Sequence, residues 1–281
     1  MTEEARERKK EYKIPVIELF GPTIQGEGLL LGHPTFFLRT GGCGYKCTWC
    51  DSMHAVDPAQ VKANRTMMTP EQITSRLHRE MTTPWLTLTG GDPCLHNFEE
   101  IVDRLHSWGR NVCVETQGEL WPDWLKLVDV VTLSPKGPSS GNITEPQEFL
   151  ANLVKLSQRS RAKIAVKIVV FTEADLGYAY EMMNISPHLF PLINGFYFQV
   201  GTPLTEQVKE ELLYQYEGAG AAPPESENDL NSEARGVMRL TILERYNWLT
   251  QEVLKMGDLH PKVAVTPQMH ALLWPTEDRG R

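Results

Sequence analysis

The sequence predicts an α/β fold, a parallel sheet or barrel built from repeated βα units. Two observations carry this. Short runs rich in β-branched and aromatic residues alternate with stretches that have helix starts and stops. The polar, glycine-bearing motifs each follow a predicted strand, at the carboxyl ends where barrels and open α/β sheets place their active sites.

In chain order, residues 1–13 read as a polar tail and 14–281 as a single domain. IPVIELF (centred on 15–20) and TFFLRT (35–40) are predicted strands, joined by the loop TIQGEGLLLGHP. A cysteine-bearing loop runs from Gly41 to about Ala55. Thr69-Pro70-Glu71-Gln72 is a capping box with proline at the first helical position, and opens a helix ending near Met81. Strand 85–89 follows, then a helix capped by Asn97 and stopped by Gly109. Strand 111–116, a short helix near Trp121–Leu127 and strand 129–134 come next. A helix around Gln147–Leu156, strand 165–171, a helix from Thr172 to Met183 and strand 195–200 continue the series. The small, polar, acidic stretch 218–236 reads as a flexible insertion. A helix over 238–256 and a strand at Val263–Val265 close the chain. TGGDP, ETQG, SPKG, QVGTP and TPQMH all lie just after strands, and no internal repeat is present.

The chain has 281 residues, 41% of them hydrophobic, enough to bury one large core. Its net charge of −8 argues against a general nucleic-acid binder, which needs a basic stripe to replace phosphate counterions. No apolar run reaches membrane-spanning length, and the charged N-terminus lacks the apolar stretch of a secretory signal, so a cytoplasmic protein is expected.

Five cysteines do not make a disulfide scaffold in a chain this long. Cys94 and Cys113 read as small core hydrophobes. Cys43, Cys47 and Cys50 fall within eight residues, with C-x3-C-x2-C spacing. That leaves two metal readings open: a structural zinc site completed by His54, or an iron–sulfur cluster with one iron free. The tight loop after a strand favours iron–sulfur.

With Trp49 before its last cysteine, the loop resembles the signature of the radical S-adenosylmethionine superfamily. IQGEG (24–28), FLRTGGCGYKCTWCDS (37–52), LTGGDP (88–93), ETQG (115–118), SPKG (134–137) and PQMH (267–270) together resemble one of its families, 7-carboxy-7-deazaguanine synthase, over nearly the whole chain. The resemblance implies a shortened, modified TIM-like (β/α) barrel, usually a homodimer. It implies ring contraction of 6-carboxy-5,6,7,8-tetrahydropterin to 7-carboxy-7-deazaguanine with loss of ammonia, on the way to queuosine and other deazapurines. A [4Fe–4S] cluster, S-adenosyl-L-methionine, Mg2+ and a flavodoxin-like electron donor come with it.

By the same resemblance, Ile24, Gln25, Gly26, Glu27, Arg39, Thr89, Gln268 and His270 serve the pterin. Trp49, Cys50, Asp51, Gly91, Asp92, Glu115, Ser134, Pro135, Lys136 and Gln199 serve S-adenosylmethionine. Cys43, Cys47 and Cys50 hold the cluster, and Ser52 holds Mg2+. Without the motifs, plainer roles stand beside these: a glycine turn at QGEG, half of an ion pair at Arg39, a solvated charge at Lys136, a structural His270. Glu115 is read equally as a ligand contact or a helix cap. The chain departs from the family pattern at Ser52, where threonine is usual, and at Asp92, where glutamate is usual. The competing functions are a glycyl-radical activase and a structural or electron-transfer metal module.

Overall fold

The computed structural model describes residues 12–204, 207–210, 213–214 and 226–274. Most of the predicted polar tail and positions 218–225 of the predicted insertion lie outside these. Nine strands form one sheet: β1 Ile14–Ile24, β2 Pro34–Thr40, β3 Thr66–Met68, β4 Trp85–Gly90, β5 Asn111–Thr116, β6 Val130–Leu133, β7 Lys163–Val170, β8 Gly195–Val200 and β9 Val263–Thr266. Their order is β3-β1-β2-β4-β5-β6-β7-β8-β9. β1 runs antiparallel to β2 and β3, while β2 and β4 through β9 pair in parallel. From β4 to β9 spatial order follows chain order without reversal. That is the winding of a barrel; a doubly wound sheet reverses at a switch point. The sheet stays open between β3 and β9.

The helices whose full extent lies among the described residues are α1 Pro58–Asn64, α2 Pro70–Glu80, α3 Glu99–Ser107, α4 Pro146–Arg159, α5 Glu173–Met183, α6 Leu189–Leu192, α7 Glu227–Lys255 and α8 Met269–Leu273. Local chemistry sets their ends. The Thr69 hydroxyl accepts from Gln72 N, and the Gln72 side chain accepts from Thr69 N, so two otherwise orphaned amides at the start of α2 are satisfied. Thr172 and Asp175 do the same for α5. Asn97 Oδ1 accepts from Glu99 N at the start of α3, and Gly109 beyond its end takes φ +69°, which favours glycine.

The two faces of the sheet divide the molecule's work. Strand alternation sends Phe36, Leu38, Leu86, Leu88, Val112, Val114, Val131, Leu133, Val166, Ile168, Phe196 and Phe198 into one apolar core. The other face carries the polar Arg39, Thr89, Glu115, Thr132, Lys167 and Gln199, interspersed with Phe37, Cys113, Val130 and Val169. A short turn, Gly28–Leu30, enters this second face at the amino ends of the strands, packing Leu30 on Cys113 and Val130. The helices therefore build stability on one side and leave the other for chemistry.

Several elements differ from expectation. β1 extends to Ile24, so the QGEG segment leaves directly from a strand. α1, β3, α6 and α8 arise in stretches that carried no prediction. α7 begins at Glu227, capped by the Ser226 hydroxyl accepting from Asp229 N, so positions 227–236 of the predicted flexible insertion are helical. The cause is a narrow stripe, Ala234, Met238 and Ile242, buried at one-turn spacing. Composition alone does not reveal a stripe that thin.

Leu88→Ala, at a fully buried position of β4, is expected to cost about 2–5 kcal/mol. Chemical denaturation of variant and parent measures it; a loss well below 1 kcal/mol would contradict the assignment of this face to the core.

Candidate active site

A cavity of ≈ 210 Å³ opens on the polar face at the carboxyl ends of the strands. β2 contributes Arg39, β4 Thr89, β5 Glu115 and β7 Lys167. Ile24, Gln25 and Glu27 enter from the segment leaving β1, and Gln268 and His270 from the segment after β9. The loop after β2 brings Cys43, Cys47, Trp49, Cys50, Asp51 and Ser52; the loops after β4 and β6 bring Gly91, Ser134 and Lys136. Four of the predicted site residues, Gly26, Asp92, Pro135 and Gln199, stand behind this wall.

Glu27 lies at the centre, buried. Lys167 Nζ donates to its Oε2, and Gln199 Nε2 and Gln268 Nε2 each donate to its Oε1 at 2.6 Å. Burial alone would raise the Glu27 pKa; the Lys167 ammonium and His270 overcome it and hold the carboxyl at about 2. For Lys167, burial pulls the pKa down, but Glu27 and Glu115 outweigh it and the net shift is upward. Gln199, expected to line the S-adenosylmethionine pocket, stands behind the cavity wall with its Nε2 on Glu27 and its Oε1 without a partner among the described residues. Gly26 supports the same joint from behind: its carbonyl accepts from Met269 N at 3.0 Å, and a Cβ there would meet His270 Nδ1 at 2.2 Å. The chain's two distant motifs are thus bolted together.

Glu115 accepts from Gln25 Nε2 at 3.1 Å and Thr89 Oγ1 at 3.0 Å, so it faces the cavity and caps no helix. Burial raises its pKa, only partly offset by Lys167. Sequence reasoning passed over Lys167. Its signal was a lone cation inside the apolar run AVKIVVF, where burying an ammonium without a partner is prohibitive.

The cysteine loop is stitched to the loop after β4. Asp92 N donates to Gly42 O at 2.7 Å and Gly91 N to Thr40 O at 3.0 Å. A Cβ at Gly91 would lie 2.1 Å from Gly42 O, so only glycine permits this approach. Cys43, Cys47 and Cys50 are free thiols on one cavity wall. Burial pushes Cys43 up to about 11 and Cys50, aided by Asp51, up to about 12. Burial outweighs the nearby Lys136 charge at Cys43 and Cys47, and a bound metal cation would reverse that balance. As donors, three thiols on a short loop fit a [4Fe–4S] cluster with one open iron. Among the described residues no three His, Cys, Asp or Glu side chains are gathered into a metal-holding group. His54, the alternative fourth zinc ligand, has its Nε2 3.7 Å from Glu18 Oε2.

Asp92 is fully buried; its Oδ1 accepts from Cys94 N and Thr116 Oγ1, and its Oδ2 has no partner among the described residues. Lys136 Nζ donates to Ser134 Oγ at 3.0 Å and stands 5.7 Å from the Trp49 ring centroid, with no ion pair among the described residues. Burial, and then Lys167, lower its pKa. A cation in that setting is a ready seat for an anionic group. Arg39 donates from Nε to Glu18 Oε2 at 2.9 Å and from Nη1 to Ser52 Oγ at 2.8 Å. Half of the guanidinium is therefore structural while the residue still lines the cavity.

Lys167→Met would strand the Glu27 charge and is expected to cost about 3–5 kcal/mol. Adding Glu27→Gln should recover most of it in a double-mutant cycle; no recovery would mean the two groups are not coupled. Glu115 gives a pH test. A carboxyl whose folded pKa is raised contributes stability below the unfolded value, and loses it as pH rises through the folded one. Glu115→Gln removes that loss, so its stability relative to the parent should improve between pH 4.5 and pH 8. A difference that stays flat with pH would refute the shift.

No protein-family model matches the sequence. The 7-carboxy-7-deazaguanine synthase of Bacillus cereus is 35% identical over 265 residues, covering 93% of this chain and 97% of that protein. The Bacillus subtilis protein of the same name is 32% identical over 265 residues, covering 93% and 96%. The crystal structure of QueE from Escherichia coli superposes with a TM-score of 0.55 at 20% identity, over 79% of this chain and 97% of that one, which shows a shared fold. With two relatives above 30% identity matched over nearly their full length, and with this fold, the chain belongs to the 7-carboxy-7-deazaguanine synthase family of radical S-adenosylmethionine enzymes.

Proposed function

We propose that the protein contracts 6-carboxy-5,6,7,8-tetrahydropterin to 7-carboxy-7-deazaguanine with release of ammonia, serving queuosine or related deazapurine synthesis. One observation carries the reading beyond kinship. Gln268, 241 positions from Glu27, hydrogen-bonds to it across the cavity that the three cysteines also line. The family's motifs converge on a single pocket.

In this reading Cys43, Cys47 and Cys50 hold a [4Fe–4S] cluster, which when bound supplies the electron for cleaving S-adenosylmethionine. Trp49, Asp51, Gly91, Ser134 and Lys136 line the space for that cofactor, with Asp92 and Pro135 just behind them: Lys136 offers its cation to a carboxylate, and Asp92 keeps an unpartnered Oδ2 beneath the wall. Ser52 presents a hydroxyl to Mg2+, an ion that prefers oxygen ligands. Ile24, Gln25, Thr89, Glu115 and His270 line the space left for the pterin, and Arg39 takes its carboxylate. The enzyme would act as a homodimer in the cytoplasm, reduced by a flavodoxin-like protein. Among the described residues no helix is long and apolar enough to cross a membrane.

The test is direct. Anaerobically reconstituted protein should be brown, and with S-adenosylmethionine, Mg2+ and dithionite it should convert the carboxytetrahydropterin to the deazaguanine. Cys43→Ala should lose its iron and Cys94→Ala keep it. Cleavage of S-adenosylmethionine without any deazaguanine would point to another radical enzyme; a colourless zinc protein would end the reading.

A further inference from the structure

We propose that Glu18 is a positioning residue: it grips one side of the Arg39 guanidinium so that the remaining side meets the substrate's carboxylate. This rests on the reading that Arg39 receives that carboxylate.

The first observation is one of register. β1 and β2 pair with Val16 opposite Thr40 and Glu18 opposite Arg39, so two steps along β1 match one along β2. This irregularity at Ile17 is a bulge, the device by which a strand re-aims a side chain. Without it, Ile17 would stand opposite Arg39 and no carboxylate would reach the guanidinium.

The second is the contact itself. The two side chains are only 14% and 17% exposed, and Arg39 Nε donates to Glu18 Oε2 at 2.9 Å. Arg39 Nη1 donates to Ser52 Oγ at 2.8 Å, while Nη2 has no partner among the described residues. Arg39 lines the cavity and Glu18 does not. A long, flexible side chain that lines the cavity is thus fixed from two elements, β1 and the cysteine loop, and still has donors left over. Pre-organising a guanidinium this way lowers the ordering cost of binding a planar carboxylate. The other groups beside Glu18 are His54, at 3.7 Å, and Ser52 across Arg39.

Positioning and plain electrostatics make opposite forecasts. Glu18 neutralises Arg39, so if charge alone mattered, removing it would tighten binding of an anion. If Glu18 positions Arg39, removing it must loosen binding. Glu18→Ala is expected to raise the Kd and KM for 6-carboxytetrahydropterin ~10-fold or more, the scale of a lost hydrogen bond to a charged group. Glu18→Gln, which keeps an acceptor for Nε, should stay within ~3-fold of the parent. Glu18→Asp keeps the charge but falls one methylene short, and it should weaken binding as Ala does; it carries the test if Glu18→Ala fails to fold. Calorimetric titration of the pterin into cluster-loaded protein, with iron content as the check on folding, reads these effects. Glu18→Ala or Glu18→Asp that binds as tightly as the parent, or tighter, overturns the proposal, even with a lowered melting temperature. Arg39→Ala separates the two layers. If it leaves pterin binding unchanged, the reading of Arg39 falls; if it weakens binding while Glu18→Ala and Glu18→Asp do not, only the positioning role falls.

Discussion

Everything in the cavity depends on one buried charge. Glu27 is carried into the polar interior by the turn after β1, and a carboxylate in that position is tolerable only if it is paired and fully hydrogen-bonded. Its partners come from three places: Lys167 on β7, Gln199 on β8 and Gln268 beyond β9. The requirement to satisfy Glu27 therefore draws both termini of the domain and the far half of the sheet to one point. A buried pair of this kind adds little net stability compared with apolar packing. What it supplies is placement: with Glu27 fixed, Gln25 is held against Glu115, and Gly26 against Met269 and His270.

Placement on this scale needs a rigid frame, and the sheet provides it by keeping its two jobs apart. The face under the helices is almost wholly aliphatic and aromatic, so substitutions there register as stability. The opposite face can then carry Arg39, Thr89, Glu115 and Lys167, because the polar groups satisfy one another instead of demanding water. Two carboxylates and two lysines share that interior, and their pKa values move apart as a result: Glu27 downward under the Lys167 charge, Glu115 upward under burial. Neighbouring carboxyls thus acquire different characters without any difference in residue type.

Much of this was legible in the sequence, for identifiable reasons. Strands β4 to β8 sit where β-branched runs put them, and α2 and α5 start at capping boxes because such caps are local chemistry. The cavity-lining motifs were visible because glycine and polar residues follow strands only where backbone must approach something. Other features depend on tertiary partners and left no local mark. The first ten positions of α7 look disordered by composition, since only Ala234 and its successors one turn apart are buried. Lys167 lies in a strand covered on both sides, where alternation is masked and the cation looks like an interruption. Glu18 meets Arg39 only through a bulge, and no pattern in β1 announces one. Gln199 gives its amide to Glu27 across 172 positions, a pairing that no local pattern announces.

The departure at Asp92 follows the same physics. The shorter side chain commits Oδ1 to its own turn, accepting from Cys94 N at 3.0 Å and Thr116 Oγ1 at 2.8 Å, and so steadies the loop that carries Gly91. That leaves Oδ2 buried and without a protein partner among the described residues. An unpaired oxygen there costs free energy until a donor arrives, and burial raises the carboxyl's pKa accordingly. A ligand ammonium would supply both the missing hydrogen bond and the missing charge. The loop geometry is thus vested in one oxygen of the carboxyl, and aspartate, by fixing that one, leaves the other as a buried acceptor still to be satisfied.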